Sequence, residues 1–329
     1  MNLRSELSKL KFALGYNPKV IKRPDGRKFI PGSHRGVVTI TADFELAWAP
    51  RYNNSVSDPL QFALDLARRE RANLPALLDV CDANNVPITW ATVGHLFLES
   101  CSAEGEEVHA DIPAVAAYEG KYWDFKGRHW FEYDPCSNLA EAPEWYGPDL
   151  IEQVLNASTA HEIGCHTFSH IDCRDHVCPP ELFEAELNKC KALAGEKGLE
   201  LCSFVHPGHT IGNLDSLAKL GFTSFQTDPG NILGYPIRHA NGLWELQRTM
   251  EFTYRPDWSI KYHIKRYKTI VDRAIETNTV CNFWFHPSFP TVFVKEIMPE
   301  LFSHIDKRRS EILVCTVGEY INFLNTNEA

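Results

Sequence analysis

From residue 36 onward the chain alternates short apolar runs with longer amphipathic ones. Residues 36–45 read Gly-Val-Val-Thr-Ile-Thr-Ala-Asp-Phe-Glu. A strand's period of two puts Val38, Ile40, Ala42 and Phe44 on one face and Val37, Thr39, Thr41, Asp43 and Glu45 on the other. The first face suits packing beneath helices. The second ends in two carboxylates, which are costly at the tip of an apolar strand unless a site uses them. Further strands are predicted at 86–93, 201–205, 223–227, 243–246, 280–285 and 312–316. Helical periodicity covers 59–84, 148–157, 180–196, 213–220, 259–277, 294–307 and 317–325. The first of these has Asp58 as its N-cap and a break or kink expected at Pro75. Such alternation favours right-handed βαβ units and a parallel sheet or barrel. No break in composition divides 36–329, so one domain is expected there. Residues 1–35 are read as an extension lying on its surface, with a short helix near 3–14.

Residues 96–148 depart from this pattern. They are irregular and aromatic, carrying Tyr118, Tyr122, Trp123, Phe125, Trp130, Phe131, Tyr133, Trp145 and Tyr146. A loop of that length is as a rule functional or disordered, and its aromatic content argues against disorder. Stacking on sugar rings and packing over a small core of its own are the two uses this content suggests.

The chain has 329 residues, 44% hydrophobic, with a formal net charge of -10, a balance that argues against nucleic acid or an anionic membrane as main partner. No run approaches the ~18 apolar residues of a membrane span, so no integral membrane segment is expected. The first twenty residues carry charges throughout, which does not fit a secretory signal. Ten cysteines occur without a C-x-x-C pair, Cys173 and Cys178 being the closest, so reduced thiols in the cytoplasm are expected. Cys165, Cys202, Cys281 and Cys315 fall within predicted strands, as small core residues.

The densest chemistry lies in His161-Glu162-Ile163-Gly164-Cys165-His166-Thr167-Phe168-Ser169-His170. Ile163-Gly164-Cys165 reads as the buried end of a strand. His166 and His170 are four apart, so one helical turn would place both imidazoles on one face, half of a zinc-type site. Enzymes with barrels or open sheets carry their chemistry at that lip. Other strand ends carry polar groups too: Asn282, Trp284 and His286 share one face of 280–285, Ser203 to His209 end in a Pro/Gly turn, and Asp228 precedes Pro229.

The decapeptide resembles the second motif of the NodB-type polysaccharide deacetylases (carbohydrate esterase family 4), H-E-I-G-x-H-[ST]-x-[ST]-H. The order of motifs from 36 to 316 is similar as well, Phe285-His286-Pro287 matching the family's last histidine. The resemblance implies an α/β fold, the family's distorted (β/α)7 barrel, and hydrolysis of N- or O-acetyl groups on sugars with a divalent metal. Zinc is expected, with Co, Ni, Mn or Fe as alternatives. The family's first motif ends T-F-D-D-G; here Thr41-Ala42-Asp43-Phe44-Glu45 puts Phe44 where the second Asp stands, as in relatives with a D-x-E strand. Asp43 matches the general base. Glu45 is the carboxylate on the same face that replaces the metal ligand, and the division of labour between the two stays open. The third motif lacks its arginine, Val205 or His206 standing in its place, with His206 or His209 as candidates for its role.

The resemblance thus implies Asp43 and His286 as catalytic base and acid, Glu45, His166 and His170 as metal ligands, and substrate contacts from Trp48, His206, Pro207, His209, Asp228 and Trp284. Asp228 is also the carboxylate expected beside His286. The expected substrate is an N-acetylated sugar, polymeric, lipid-linked or nucleotide-linked, in cell-surface polysaccharide or glycolipid biosynthesis. Two other readings remain: an inactive barrel binding carbohydrate or protein, suggested by the altered first motif, and an amidohydrolase acting on a non-sugar amide.

Overall fold

The computed structural model describes residues 3–15, 17–104, 107–113, 115–116 and 129–328. Tyr118, Tyr122, Trp123 and Phe125 of the aromatic stretch lie outside them. Strand Gly36–Phe44 is the hub: buried along its whole length, it pairs in parallel with Thr89–Thr92, with Val280–Phe285 and, near its start, with Ile312–Val314. From Thr89–Thr92 the parallel order runs through Glu162–Cys165, Ser203–Phe204, Ser224–Thr227 and Trp244–Gln247. The sheet then returns on itself. Trp244–Gln247 pairs with Ser224–Thr227, while Met250–Glu251, three residues on, pairs with Val280–Phe285. Residues 244–251 are therefore the stave that closes the ring, with Arg248 and Thr249 at the stitch. The result is the distorted seven-stave (β/α) barrel.

Helices wrap this ring for the reason the periodicity suggests. Pro59–Asn84 starts on Asp58, whose Oδ1 accepts the Gln61 N–H at 3.0 Å, and it buries Ala63, Ala67, Leu74, Leu77 and Cys81. Pro75 does not end it, although proline forfeits one backbone bond. Beside it, the Asn73 Nδ2 donates to the carbonyls of Pro287 and Phe289, each at 2.8 Å. Val38, Ile40, Ala42 and Phe44 face the helices as part of the main core. The opposite side of the same strand faces the interior. Thr39 Oγ1 donates to Asn282 Oδ1 (3.2 Å), and Gln226 Nε2 donates to Thr41 Oγ1 (2.7 Å). The strands of Thr41 and Gln226 are not neighbours, so that bond crosses the barrel. A buried polar column of Thr39, Asn282, Thr41 and Gln226 thus climbs toward Asp43.

The first thirty-five residues do not simply lie on the surface. Lys19–Val20 pairs with Ile232–Leu233, and Phe29 and Ile30 are buried against Trp244 and Tyr320. Apolar residues too few to form a core of their own are used to seal the barrel's edge. Among the described residues no helix is long and apolar enough to cross a membrane.

Candidate metal centre and cleft

His166 follows directly on strand Glu162–Cys165, but the path to His170 is not the helical turn expected from the spacing. Thr167 and His170 both take positive φ, 59° in each case, a conformation costly for a β-branched residue such as threonine. A buried carboxylate on helix Pro180–Glu196 holds the loop in this form. Glu186 Oε2 accepts the N–H of Phe168 and of Ser169 at 2.8 Å each, and its Oε1 accepts the Ser169 hydroxyl at 2.6 Å. Gly94 N–H and His95 N–H tie the same loop to strand Thr89–Thr92 through the carbonyls of Thr167 and Phe168. Backbone hydrogen bonds that a helix would make internally are thus made to neighbouring elements.

The loop still brings both imidazoles to one carboxylate. His166 Nε2 lies 2.9 Å and His170 Nε2 3.2 Å from Glu45 Oε1, all three residues being buried. His166 Nδ1 donates to the Val205 carbonyl at 2.7 Å, so in the neutral ring the lone pair is on Nε2, which faces Glu45. Two imidazole nitrogens and a carboxylate that face each other away from water call for a cation at their focus. The set fits a divalent metal. Burial by itself would raise the Glu45 carboxyl, but His286, His170 and His166 outweigh it and hold it well below the usual carboxylate range. Burial lowers His170, whereas His166 is raised, because Glu45 and Asp43 outweigh its burial.

Asp43, on the same face as Glu45, is clamped from across the ring. Arg248 Nη2 lies 2.9 and 3.1 Å from its two carboxylate oxygens, and Arg248 Nε donates to Gln226 Oε1 at 3.1 Å. The arginine missing from the turn after 203–205 is therefore supplied by the closing stave. His206 Nε2 instead donates to the Gly212 carbonyl (3.0 Å), and His209 Nδ1 meets Arg248 Nη1 at 3.4 Å. The guanidinium also sits over the Trp284 ring, 4.1 Å from its centroid, so both its charge and its plane are used.

These groups open into a cleft of about 620 Å³ whose walls include Asp43, Glu45, His170, Glu251, Trp284 and His286. His286 is 38% exposed, with Nε2 3.7 Å from Glu45 Oε2 and Nδ1 4.0 Å from Glu251 Oε1. Trp284 and His286 share the inward face, while Phe283 and Phe285 stack outward on Phe252. His206 and His209 also reach the cleft wall. Trp48, Pro207 and Asp228 do not. Trp48 is fully buried beneath the loop, donating from Nε1 to the Trp145 carbonyl and packing on His95. Pro207 is buried in its turn, whose tightness it serves. Asp228 is exposed, capping the Gly230 N–H of its own turn, so the carboxylates beside His286 are Glu45, Glu251 and Asp43.

Four buried or half-buried groups here carry no motif in the sequence: Arg248, Glu251, Glu70 and Glu186. Glu70 Oε1 accepts the Glu45 N–H at 3.2 Å, and burial, reinforced by the charge of Glu45, pushes its carboxyl well above the ordinary range. A signal for two of them exists. Glu70 sits on the stripe Ala63, Ala67, Leu74, Leu77, and Glu186 on the stripe Leu182, Phe183, Leu187, Cys190. An acid at an apolar-stripe position must find partners when buried.

No family model and no curated protein matches the chain. Solved structures do. A protein described as a polysaccharide deacetylase from Mycobacterium smegmatis is 15% identical, with 94% of each chain covered and a TM-score of 0.58. One so described from Pseudomonas aeruginosa PAO1 is 13% identical over 91% of this chain and 94% of its own, at 0.61. Puue allantoinase is 11% identical over 91% and 93%, also at 0.61. The chain has the barrel fold of the polysaccharide deacetylases, a fold that serves an allantoinase as well.

Proposed function

We propose that this protein is a metal-dependent carbohydrate deacetylase of the NodB type, removing an N-acetyl or other small acyl group from a sugar. The observation that carries the reading is the meeting, in one cleft, of the Glu45–His166–His170 focus, the arginine-clamped Asp43 and His286. Glu45, His166 and His170 would hold the metal, and zinc is the ion best suited to two imidazoles and a carboxylate. Bound there, it would supply Lewis acidity, making a water nucleophilic near neutral pH and polarising the acyl carbonyl. Asp43, held in one orientation by Arg248, takes the proton of the attacking water. His286, with Nδ1 toward Glu251, gives a proton from Nε2 to the departing nitrogen, which is too poor a leaving group as an anion. Trp284 offers a ring face beside this point. The products are an amino sugar and acetate, or formate for the smaller acyl group.

The reading extends to action in the cytoplasm on a small, nucleotide-linked or lipid-linked precursor. Its support is that all ten cysteines are free thiols. Residues 36–329 form the catalytic unit in this proposal. The likeness to an allantoinase favours a second reading, hydrolysis of a non-sugar amide at the same groups. Metal-replete protein incubated with N-acetyl sugars in free, nucleotide-linked, lipid-linked and oligomeric form, and with allantoin, separates the two. Acetate released from a sugar supports the first; turnover of allantoin alone supports the second. A protein that binds metal and hydrolyses none of them is neither.

A further inference from the structure

A second group of metal-ligating side chains lies behind the His166–His170 loop. His95 comes just after strand Thr89–Thr92, Cys101 and His109 follow within the irregular stretch, and Asp134 lies near its far side. One donor atom from each lies within 4.8 Å of all the others. His109 Nε2 is 2.8 Å and His95 Nε2 3.2 Å from Asp134 Oδ2, and Cys101 Sγ is 3.4 Å from Asp134 Oδ1. Tetrahedral zinc with ligands at 2.0–2.3 Å separates its donors by roughly 3.3–3.8 Å, close to this spacing.

Protons alone serve this arrangement poorly at His95, which is fully buried. Its Nδ1 lies 3.2 Å from the Trp145 carbonyl, and its Nε2 makes no hydrogen bond although it faces Asp134. With the proton on Nδ1, the Nε2 lone pair points at a carboxylate. With the proton on Nε2, the Nδ1 lone pair points at a carbonyl oxygen. The doubly protonated ring would satisfy both, but only by placing a charge on a ring with no exposure to water. A cation between Nε2 and Asp134 removes the conflict, and the Nδ1–H to carbonyl bond is the usual support of a metal-bound histidine. Cys101 Sγ lies 3.1 Å from Tyr146 Oη and turns its proton toward Asp134 Oδ1, the proton that a cation at the focus would displace.

We propose that His95, Cys101, His109 and Asp134 bind a structural zinc ion. A thiolate, two imidazoles and a carboxylate match zinc's preferences, and none of the four lines the cleft, so no position is open to substrate. The ion clips the segments that carry Cys101, His109 and Asp134 to the back of the site. His95 N–H holds the Phe168 carbonyl at 2.9 Å, and the His109 ring lies edge-on to Phe168 at 5.0 Å.

The full-length protein, purified from zinc-supplemented cells, is expected to carry about two equivalents of zinc by elemental analysis, one per site. Cys101→Ser and His109→Ala should each carry about one, and the double variant His166→Ala/His170→Ala should also carry about one. Cobalt-substituted wild type should show a thiolate-to-cobalt charge-transfer band, since only this site offers sulfur. That band should survive in the His166/His170 double variant and vanish in Cys101→Ser. The proposal is overturned if Cys101→Ser and His109→Ala keep the wild-type metal content. It is equally overturned if cobalt-loaded wild type lacks the band, or if Cys101 is found bonded to its neighbour Cys136. The wild-type spectrum decides even where a variant fails to fold.

Discussion

Among the described residues, the Glu45–His166–His170 group and the His95–Cys101–His109–Asp134 group offer much the same donors, yet they are built in opposite ways. Glu45, His166 and His170 come from strand ends and an irregular loop, and their focus opens into the cleft beside Asp43 and His286. His95, Cys101, His109 and Asp134 are drawn from one stretch of about forty residues and close around a point away from the cleft. Three donors facing an open space leave room for water and substrate; four donors including a thiolate leave none. Donor identity alone therefore does not assign a role. Access does.

The largest expected effect tests the open site. His166→Ala should lose the cleft's metal and bring acetate release to background, a greater fall than the roughly 10²–10⁴-fold of a lost proton donor. Elemental analysis alongside activity checks it; full activity in that variant would end the assignment. His286→Ala should lower kcat by roughly 10²–10⁴-fold with metal content unchanged. Loss of metal in that variant would move His286 from proton donor to ligand. Arg248→Lys keeps the charge but forfeits the paired contact with both Asp43 oxygens and the bond to Gln226. A fall in kcat of roughly 10- to 100-fold is expected, with KM less affected, as for other groups that orient a catalytic residue. Unchanged kcat would show that Asp43 needs no such holder.

The smallest effect concerns the far end of the His-bearing strand. His161 Nδ1 accepts the Ile88 N–H at 3.0 Å, and burial lowers its pKa from 6.5 to about 4, against the pull of Asp82. The neutral ring is the form the fold prefers. Its contribution to stability is therefore complete above pH 6.5 and is lost as pH falls toward 4, because the unfolded chain takes up the proton first. Allowing for partial exposure, about 2 kcal/mol should disappear over that window. His161→Asn keeps an acceptor and cannot titrate, so its urea midpoint should fall less between neutral pH and pH 4. A fall equal to that of wild type would show that other groups govern the acid limb.

Much of the fold and the site is legible in the chain's periodicity. The period of two in 36–45 places Val38, Ile40, Ala42 and Phe44 against the helices and Asp43 and Glu45 on the other face. The helical periods of 59–84 and 180–196 match the observed helices, and the face shared by Asn282, Trp284 and His286 is the inward one. These are local matters, decided by which side of a strand or helix a residue's Cβ leaves from. Spacing misleads where the backbone leaves both regular forms. Four residues between histidines suggest a helical turn, but bonds to Glu186 and to Gly94 hold the loop with Thr167 at positive φ. Trp48 and Pro207, substrate-contact candidates by position, lie in the interior instead.

What periodicity along the chain determined was the faces: which residues point to helices, which to the barrel's interior, and which two histidines and two acids stand at strand ends. What only the tertiary structure decided was which faces meet. Arg248 reaches Asp43, 205 residues earlier, because 244–251 pairs with one strand in its first half and another in its second. Glu70 and Glu186 interrupt apolar stripes, yet their partners, the Glu45 N–H and the 168–169 backbone, belong to other elements. The physical reason is common to all three. A buried charge or hydrogen-bonding group must be matched by another, and the match is supplied by a different element, at a separation that no pattern along the chain records.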